Sequence, residues 1–332
     1  MENKGDTLVT VCCVCYNQER YIGRTLEGMA GQSVSFPYKV FVSDDGSTDR
    51  TPEIIRSYRN RFPDVIEDKS PSQHMGMWEN ILRLFGQCDT PYIAYCEGDD
   101  YWTDPRKLQK QVTYMERHPE VGFCYTDYSV CDNDGNVIQS DCFRSGLNTR
   151  PQGFREHLLN AGYIAPMTWM WRRDIHRLFM NSGLTGASDA TFVWALECFR
   201  NTEVGFLPDN TAVYRFHWGT ASRPSSVMSK LRYQKGVFDT QLAYAGKYCP
   251  DLLRRVQFTG YLELLPLAIK AEDVELEKEA ERFFNGLGVD FRSVRNLCDR
   301  VNEAEADAKK ARESKTYRLG RMLSRPFQIW RK

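Results

Sequence analysis

Several features that would settle a class at once are missing from this sequence. It has no run of about eighteen apolar residues, so no membrane-spanning helix is expected. The opening MENKGD has no basic stretch with an apolar one behind it, so no secretory signal is expected either. Net charge is +0, which removes any global field that would favour nucleic acid. No Gly-x-x-x-x-Gly-Lys occurs, so no P-loop holds a phosphate. No Gly-x-Gly-x-x-Gly follows the first apolar run, which disfavours a dinucleotide oxidoreductase. Internal repeats and low-complexity segments are absent. The eleven cysteines are odd in number and scattered. Cys12 and Cys15 form a C-x-x-C inside the strand-like run LVTVCCVCY, but no second pair or His cluster completes a metal site. Buried reduced thiols, and with them a cytosolic compartment, are the expectation.

What is present is 332 residues with 42% hydrophobic content, enough for one large domain or a domain with an appendage. The first half alternates. Leu8 to Cys15 reads as a strand apolar on both faces, as in a parallel sheet. A helical spacing follows at Ile22, Leu26 and Met29. Tyr38 to Ser43 is a second strand. TPEIIRSYRNRF is a helix with Thr51 as cap and Pro52 in its first turn. Val65 and Ile66 suit a short strand, MWENILRLFG a helix closed by Gly86, Tyr92 to Cys96 a strand, and RKLQKQVTYMERH a helix. Strands alternating with helices predict an α/β layer fold with a mostly parallel sheet. Beyond residue 119, VGFCYTDYSVCDNDGNVIQSD reads as two strands around a turn, and its DNDG lacks calcium-loop spacing. From Val227 the pattern is helix on helix. RFHWGTASRPSS breaks periodicity and is the expected boundary.

Ligands in open α/β sheets bind beyond the carboxyl ends of the strands. Three such ends carry polar clusters: CYN at 15–17, SDDGSTD at 43–49 and EGDD at 97–100. SDDGSTD supports two readings. It can be a turn and helix cap, or its acids can accept N–H groups of a base or hydroxyls of a ribose. EGDD poses a sharper question, because adjacent carboxylates repel and raise one another's pKa. A divalent cation answers it better than a bare charged turn. So few protein oxygens suit Mg²⁺ or Mn²⁺, which keep waters and take substrate phosphates.

Taken together, VTVCCVCYNQERYIGRTLEGMAGQSV, KVFVSDDGSTDRTPEII and YIAYCEGDDYWTDPRKLQKQV resemble the family-2 glycosyltransferases of the GT-A fold. The likeness runs from about Leu8 to Tyr128 and more weakly to about Ser222. It implies a Rossmann-like, mostly parallel central sheet flanked by helices, with a helical C-terminal extension. It implies transfer of a sugar from a nucleotide-diphosphate donor to a carbohydrate or lipid-linked saccharide acceptor, with inversion. Cell-surface polysaccharide or lipopolysaccharide synthesis is the implied setting. Carried over residue by residue, Val14 and Tyr16 line the base pocket. Asp45 binds the base edge with Asp44 in support, Asp99 lies near the ribose and Asp100 on Mn²⁺ or Mg²⁺. Glu97 stands at a variable position and is left out of the metal's immediate surroundings.

GASDATFVWAL resembles the family's region around its catalytic base, which makes Asp189 the matching acid; an N-cap for the following helix is the alternative. His217 resembles a His near the metal or diphosphate in some members, although a lone His is commonly structural. Trp169, Trp171 and Trp218 could stack on sugars, yet core packing is the commoner fate of such residues. The expected division is a catalytic domain over 1–226 (nucleotide half to about 128, acceptor half 129–226), a helical region over 227–308 and a basic tail over 309–332. That tail carries nine Lys or Arg against one Glu, interleaved with apolar residues. A peripheral contact with anionic membrane at the inner face of the cell is expected from it. Two rivals remain at this level. A sugar-phosphate nucleotidyltransferase would want a Gly-rich basic loop where CYNQER stands, and a non-catalytic sugar-nucleotide-binding protein would not need Asp100 and Asp189.

Overall fold

A computed structural model describes residues 6–159, 164–180, 189–216 and 224–313. The chain divides into two compact units, Met1–Trp218 and Gly219–Lys332. The first unit is built on one nine-stranded sheet: β1 (Val9–Cys15), β2 (Tyr38–Asp44), β3 (Ile66–Asp68), β4 (Tyr92–Tyr95), β5 (Tyr101–Trp102), β6 (Val121–Cys131), β7 (Val137–Gln139), β8 (Met170–Arg172) and β9 (Glu203–Arg215). The order is β3-β2-β1-β4-β8-β6-β9-β5, with β7 on β6. β3, β2, β1 and β4 run parallel. All seven residues of β1 are buried, as its apolar, β-branched composition requires of a strand covered on both faces. Thr10 is the one polar member, and its hydroxyl meets that of Thr90. β8 runs antiparallel to both β4 and β6, β9 pairs β6 in parallel, and the two-residue β5 pairs antiparallel with β9.

Helices α1 (Ile22–Ala30), α2 (Thr51–Arg61), α3 (Met77–Phe85), α4 (Lys107–Arg117), α5 (Phe154–Leu159), α6 (His176–Met180) and α7 (Ala190–Asn201) complete this unit. The turn expected at DNDG joins β6 to β7, with Gly135 at φ +87° and the Asp132 carboxylate accepting two backbone N–H groups. One expectation is corrected. Thr51 does not cap α2: its hydroxyl accepts the N–H of Gln18 and so ties the loop after β1, while Asp49 accepts the Thr51 N–H. Trp169 and Trp171 are core residues at 1% and 0% exposure, packed among Phe123, Phe85 and Phe179. All eleven cysteines are free and buried.

The second unit holds α8 (Val227–Tyr248), α9 (Leu253–Ala271), α10 (Val274–Gly286) and α11 (Phe291–Glu313). α9 packs on the other three. Leu265, Ala280, Phe284, Phe291, Val294 and Cys298 form its core. Gly260 lets α9 approach α8, since a Cβ there would sit 2.2 Å from the Phe238 ring. Among the described residues no helix is long and apolar enough to cross a membrane. The basic tail over 309–332 and His217 and Trp218 lie outside the residues whose side chains are described.

Candidate active site

The polar ends of β1, β2 and β4 come together in the first unit because the strands are parallel neighbours in register. Val14 pairs with Ser43 and Cys15 with Asp44, and the Gly98 N–H donates to the Val14 carbonyl. The loop after β1 is knitted to the turn after β2. Asn17 takes a left-handed φ of 52°, its N–H donates to the Ser47 hydroxyl, and its side-chain oxygen accepts the Thr48 N–H. Gly98 is required where it stands. A Cβ there would lie 2.2 Å from the Gln18 side chain and 2.6 Å from the Cys15 Cβ.

Asp44 and Asp45 are buried and well served. Asp44 accepts the Ser47 N–H at 3.1 Å and the Ser47 hydroxyl. Asp45 Oδ1 accepts the Met75 N–H and Oδ2 the Gly76 N–H, each at 3.0 Å. His74 Nδ1 lies 3.0 Å from the same carboxylate and 2.8 Å from the Asp45 carbonyl oxygen. The His74 ring stands 5.2 Å from that of Tyr16, which is 48% exposed, while Val14 is nearly covered. His74 was not singled out from the sequence. Its only local signal is Gly76, held at φ +93° where the chain turns into α3.

The EGDD turn is different. Asp100 is 1% exposed, and its Oδ1 accepts the Arg215 N–H at 2.7 Å. Its Oδ2 is buried with no hydrogen-bond partner among the described residues. Burial, then Asp99 and Glu97, push the Asp100 carboxyl well above the ordinary range, against the opposing pull of Arg215. Burial pushes Glu97 up to about 8, with Asp99 and then Asp189 adding to it. Asp189 therefore lies within electrostatic reach of the EGDD acids, although some ninety residues separate them in the chain. It is also the N-cap of α7, accepting the Phe192 N–H at 3.0 Å and the Thr191 hydroxyl at 2.6 Å. The helix cap and the acid that raises Glu97 are thus one residue.

Arg215, in VYRFHW, was passed over for His217. It is nearly buried, and its guanidinium donates to the Asp99 carbonyl at 2.9 Å while its backbone holds Asp100. Thr25 braces the turn from α1 through the Gly98 and Asp100 carbonyls. Among the described residues no three His, Cys, Asp or Glu converge as a metal cage. The unpartnered Asp100 oxygen, amid acids that raise one another, nevertheless suits a hard cation that draws its remaining oxygens from water or a ligand phosphate.

Comparison with known proteins agrees with this architecture. The sequence model of glycosyl transferase family 2 matches residues 10–179, half of the chain. An uncharacterized protein of Mycobacterium tuberculosis is 34% identical over 211 residues, 63% of this chain and 59% of its own length, so the chain spans about 59% of that relative. An uncharacterized glycosyltransferase of Nostoc is 22% identical over 263 residues, covering 77% of this chain and 79% of its own. Among solved structures, Staphylococcus aureus TarS 1–349 in complex with UDP-GlcNAc matches with TM-score 0.55 at 15% identity, over 91% of this chain and 92% of that one. The mannosyltransferase PcManGT of Pyrobaculum calidifontis, in complex with GDP-Man and Mn²⁺, matches with TM-score 0.51 at 16% identity, over 94% and 82%. At such identities these two establish the fold, which is GT-A. With the family model matching half of its length, the chain belongs to glycosyl transferase family 2.

Proposed function

We propose that this chain transfers a sugar from a nucleotide-diphosphate donor to a saccharide hydroxyl with inversion, in the synthesis of a cell-surface polysaccharide or lipopolysaccharide. The observation that carries the reading is Asp189: an acid at a helix start, within electrostatic reach of the acids at the end of β4. The donor class follows from the family and from the nucleotide sugars bound by the fold neighbours.

In this reading Val14 and Tyr16 line the base pocket with His74. Asp45, braced by Asp44, fixes the loop over 74–76 and turns its remaining lone pairs to the base. Asp99 takes the ribose. Asp100 would hold Mn²⁺ or Mg²⁺, which supplies charge neutralisation for a leaving diphosphate when bound. His217 remains a candidate at the same place. Asp189 accepts the proton of the acceptor hydroxyl. That oxygen forms the new bond to the anomeric carbon as the carbon–oxygen bond to the diphosphate breaks, and its electron pair leaves with the nucleotide. The basic tail over 309–332 would rest on anionic membrane, bringing a lipid-linked acceptor within reach.

The test is a thermal-shift screen of UDP- and GDP-sugars with Mn²⁺, followed by NMR of the product formed from any stabilising donor. A ligand at a hundred times its Kd should stabilise by about 2.7 kcal/mol. An α-linked donor should give a β-linked product. Retention of configuration would remove both inversion and the role given to Asp189. Stabilisation without product from any saccharide acceptor would favour the binding-protein alternative.

A further inference from the structure

One cleft in the first unit takes no part in the reading above. It has a volume of about 220 Å³ and is lined by Arg20, Arg24, Arg215 and Asp134, with Tyr21, Asn133 and Gly135, at the start of α1, the β6–β7 turn and the end of β9. Pockets for whole drug-sized ligands run to about 300–1,000 Å³, so a sugar nucleotide would not fit. A single charged group would.

The charge in this cleft is unbalanced. Arg215 is 5% exposed, yet its guanidinium meets only carbonyl oxygens: Asp99 at 2.9 Å, and Asp132 and Asn133 at 3.3 Å each. Carbonyls satisfy its donors without a direct ion pair, and the acid that feels its charge, Asp100, does not line the cleft. The acid beside it, Asp100, takes the Arg215 backbone N–H instead. Arg24 lies 3.6 Å over the Tyr101 ring and makes no hydrogen bond or ion pair among the described residues. Arg215 packs 4.6 Å over Tyr21. The lone acid on the rim, Asp134, faces Arg20 at 3.6 Å, and both side chains are largely exposed, so that pair is weak. Three guanidinium groups therefore stand against one carboxylate. Gly135, at φ +87°, keeps the rim open, since a Cβ there would lie 3.3 Å from Arg24 Nη1. A strap on the EGDD turn would explain Arg215 alone; Arg24 reaches the cleft from an exposed position on the Tyr101 face.

We infer that this cleft binds an oxyanion, a phosphoryl or carboxylate group, clamped between the Arg24 and Arg215 guanidinium planes with Arg20 at the rim. Forked guanidinium donors suit such groups. The group can be a free anion or one carried on a saccharide. The site requires neither donor nor transfer, so its failure and that of the proposed activity are separate outcomes.

The test is calorimetric titration of the full chain with inorganic phosphate, glucose 6-phosphate and glucose at constant ionic strength. Phosphate should bind and glucose should not. The double variant Arg20→Gln/Arg24→Gln should weaken phosphate by about tenfold to a hundredfold. Glucose 6-phosphate tenfold tighter than phosphate assigns the group to a saccharide; equal affinities assign a free anion. Asp134→Asn, which removes the one competing acid at an exposed position, should tighten phosphate several-fold. No phosphate binding in the millimolar range, or equal affinity in wild type and the double variant, overturns the site. So does an Asp134→Asn variant that binds no better than wild type.

Discussion

At the end of β2, Asp44 and Asp45 are surrounded by donors; at the end of β4, Glu97, Asp99 and Asp100 are surrounded by acids. The residue types are the same, both turns close a buried parallel strand, and both adjoin the loop after β1. Asp45 holds two backbone N–H groups and a histidine. Asp100 holds one N–H and leaves an oxygen with no partner among the described residues, and burial with its neighbours raises its carboxyl. A carboxylate with a donor on each oxygen stabilises the fold and positions what surrounds it. An unsaturated one is stored strain that a ligand can relieve, which is how functional sites commonly depart from optimal stability.

The largest expected effect belongs to the acid that serves both roles. Asn caps a helix about as well as Asp, so Asp189→Asn should leave folding and donor affinity intact. Transfer should fall by roughly 10²–10⁴-fold if the carboxylate takes the acceptor proton. Rate and donor Kd measured side by side decide it. A rate within a few-fold of wild type would leave Asp189 as a cap and move the base elsewhere.

A paired substitution tests the comparison directly. In Asp45→Asn the amide NH₂ must face one of the Met75 or Gly76 N–H groups, at a cost of about 1–3 kcal/mol. In Asp100→Asn the amide oxygen keeps the Arg215 N–H, the NH₂ replaces the unpartnered oxygen, and the group can no longer ionise beside Asp99 and Glu97. Stability should hold or rise while metal-supported transfer is lost. Urea denaturation of both variants at neutral pH without divalent cation reads the difference. Equal losses of midpoint at constant slope would show that the two turns are alike after all.

How much of this was legible in the sequence follows from range. The strands, the alternation and the acidic turns are local patterns, and they stand close to where they were expected. Asp189 as a cap was local too. What escaped is long-range pairing: Asp45 with the loop thirty residues on, and Arg215 with acids 115 residues earlier. No spacing rule reaches that far. The two residues of β5 lacked any period to detect, and nothing local in RKLQKQVTYMERH marks Lys107 as buried.

Lys107 supplies the third term of the comparison, a buried cation that is partly served. It is 0% exposed, its ammonium lies 4.4 Å from the Trp102 ring centre, and it donates to Gln111 Oε1 and, at 3.4 Å, to the Thr168 carbonyl. No carboxylate pairs with it among the described residues. Burial lowers its pKa to about 7, with nearby Cys124, Cys96 and Asp104 pulling weakly the other way. In the unfolded chain it keeps the ordinary lysine value of about 10.4. Between the two values the unfolded chain binds a proton that the folded chain has released, so stability rises with pH across that window. From pH 6 to 8 the gain from this one group should be roughly 1–1.5 kcal/mol. Lys107→Met removes that gain. It also leaves Gln111 Oε1 without its donor, but that penalty is the same at every pH, so the slope is the clean readout. Urea midpoints at pH 6, 7 and 8 for wild type and variant should diverge, with the variant gaining relative stability as pH falls. Parallel lines would mean that the Trp102 face and the two oxygens hold the ammonium charged throughout, and that a partly served buried charge behaves like Asp45 rather than like Asp100.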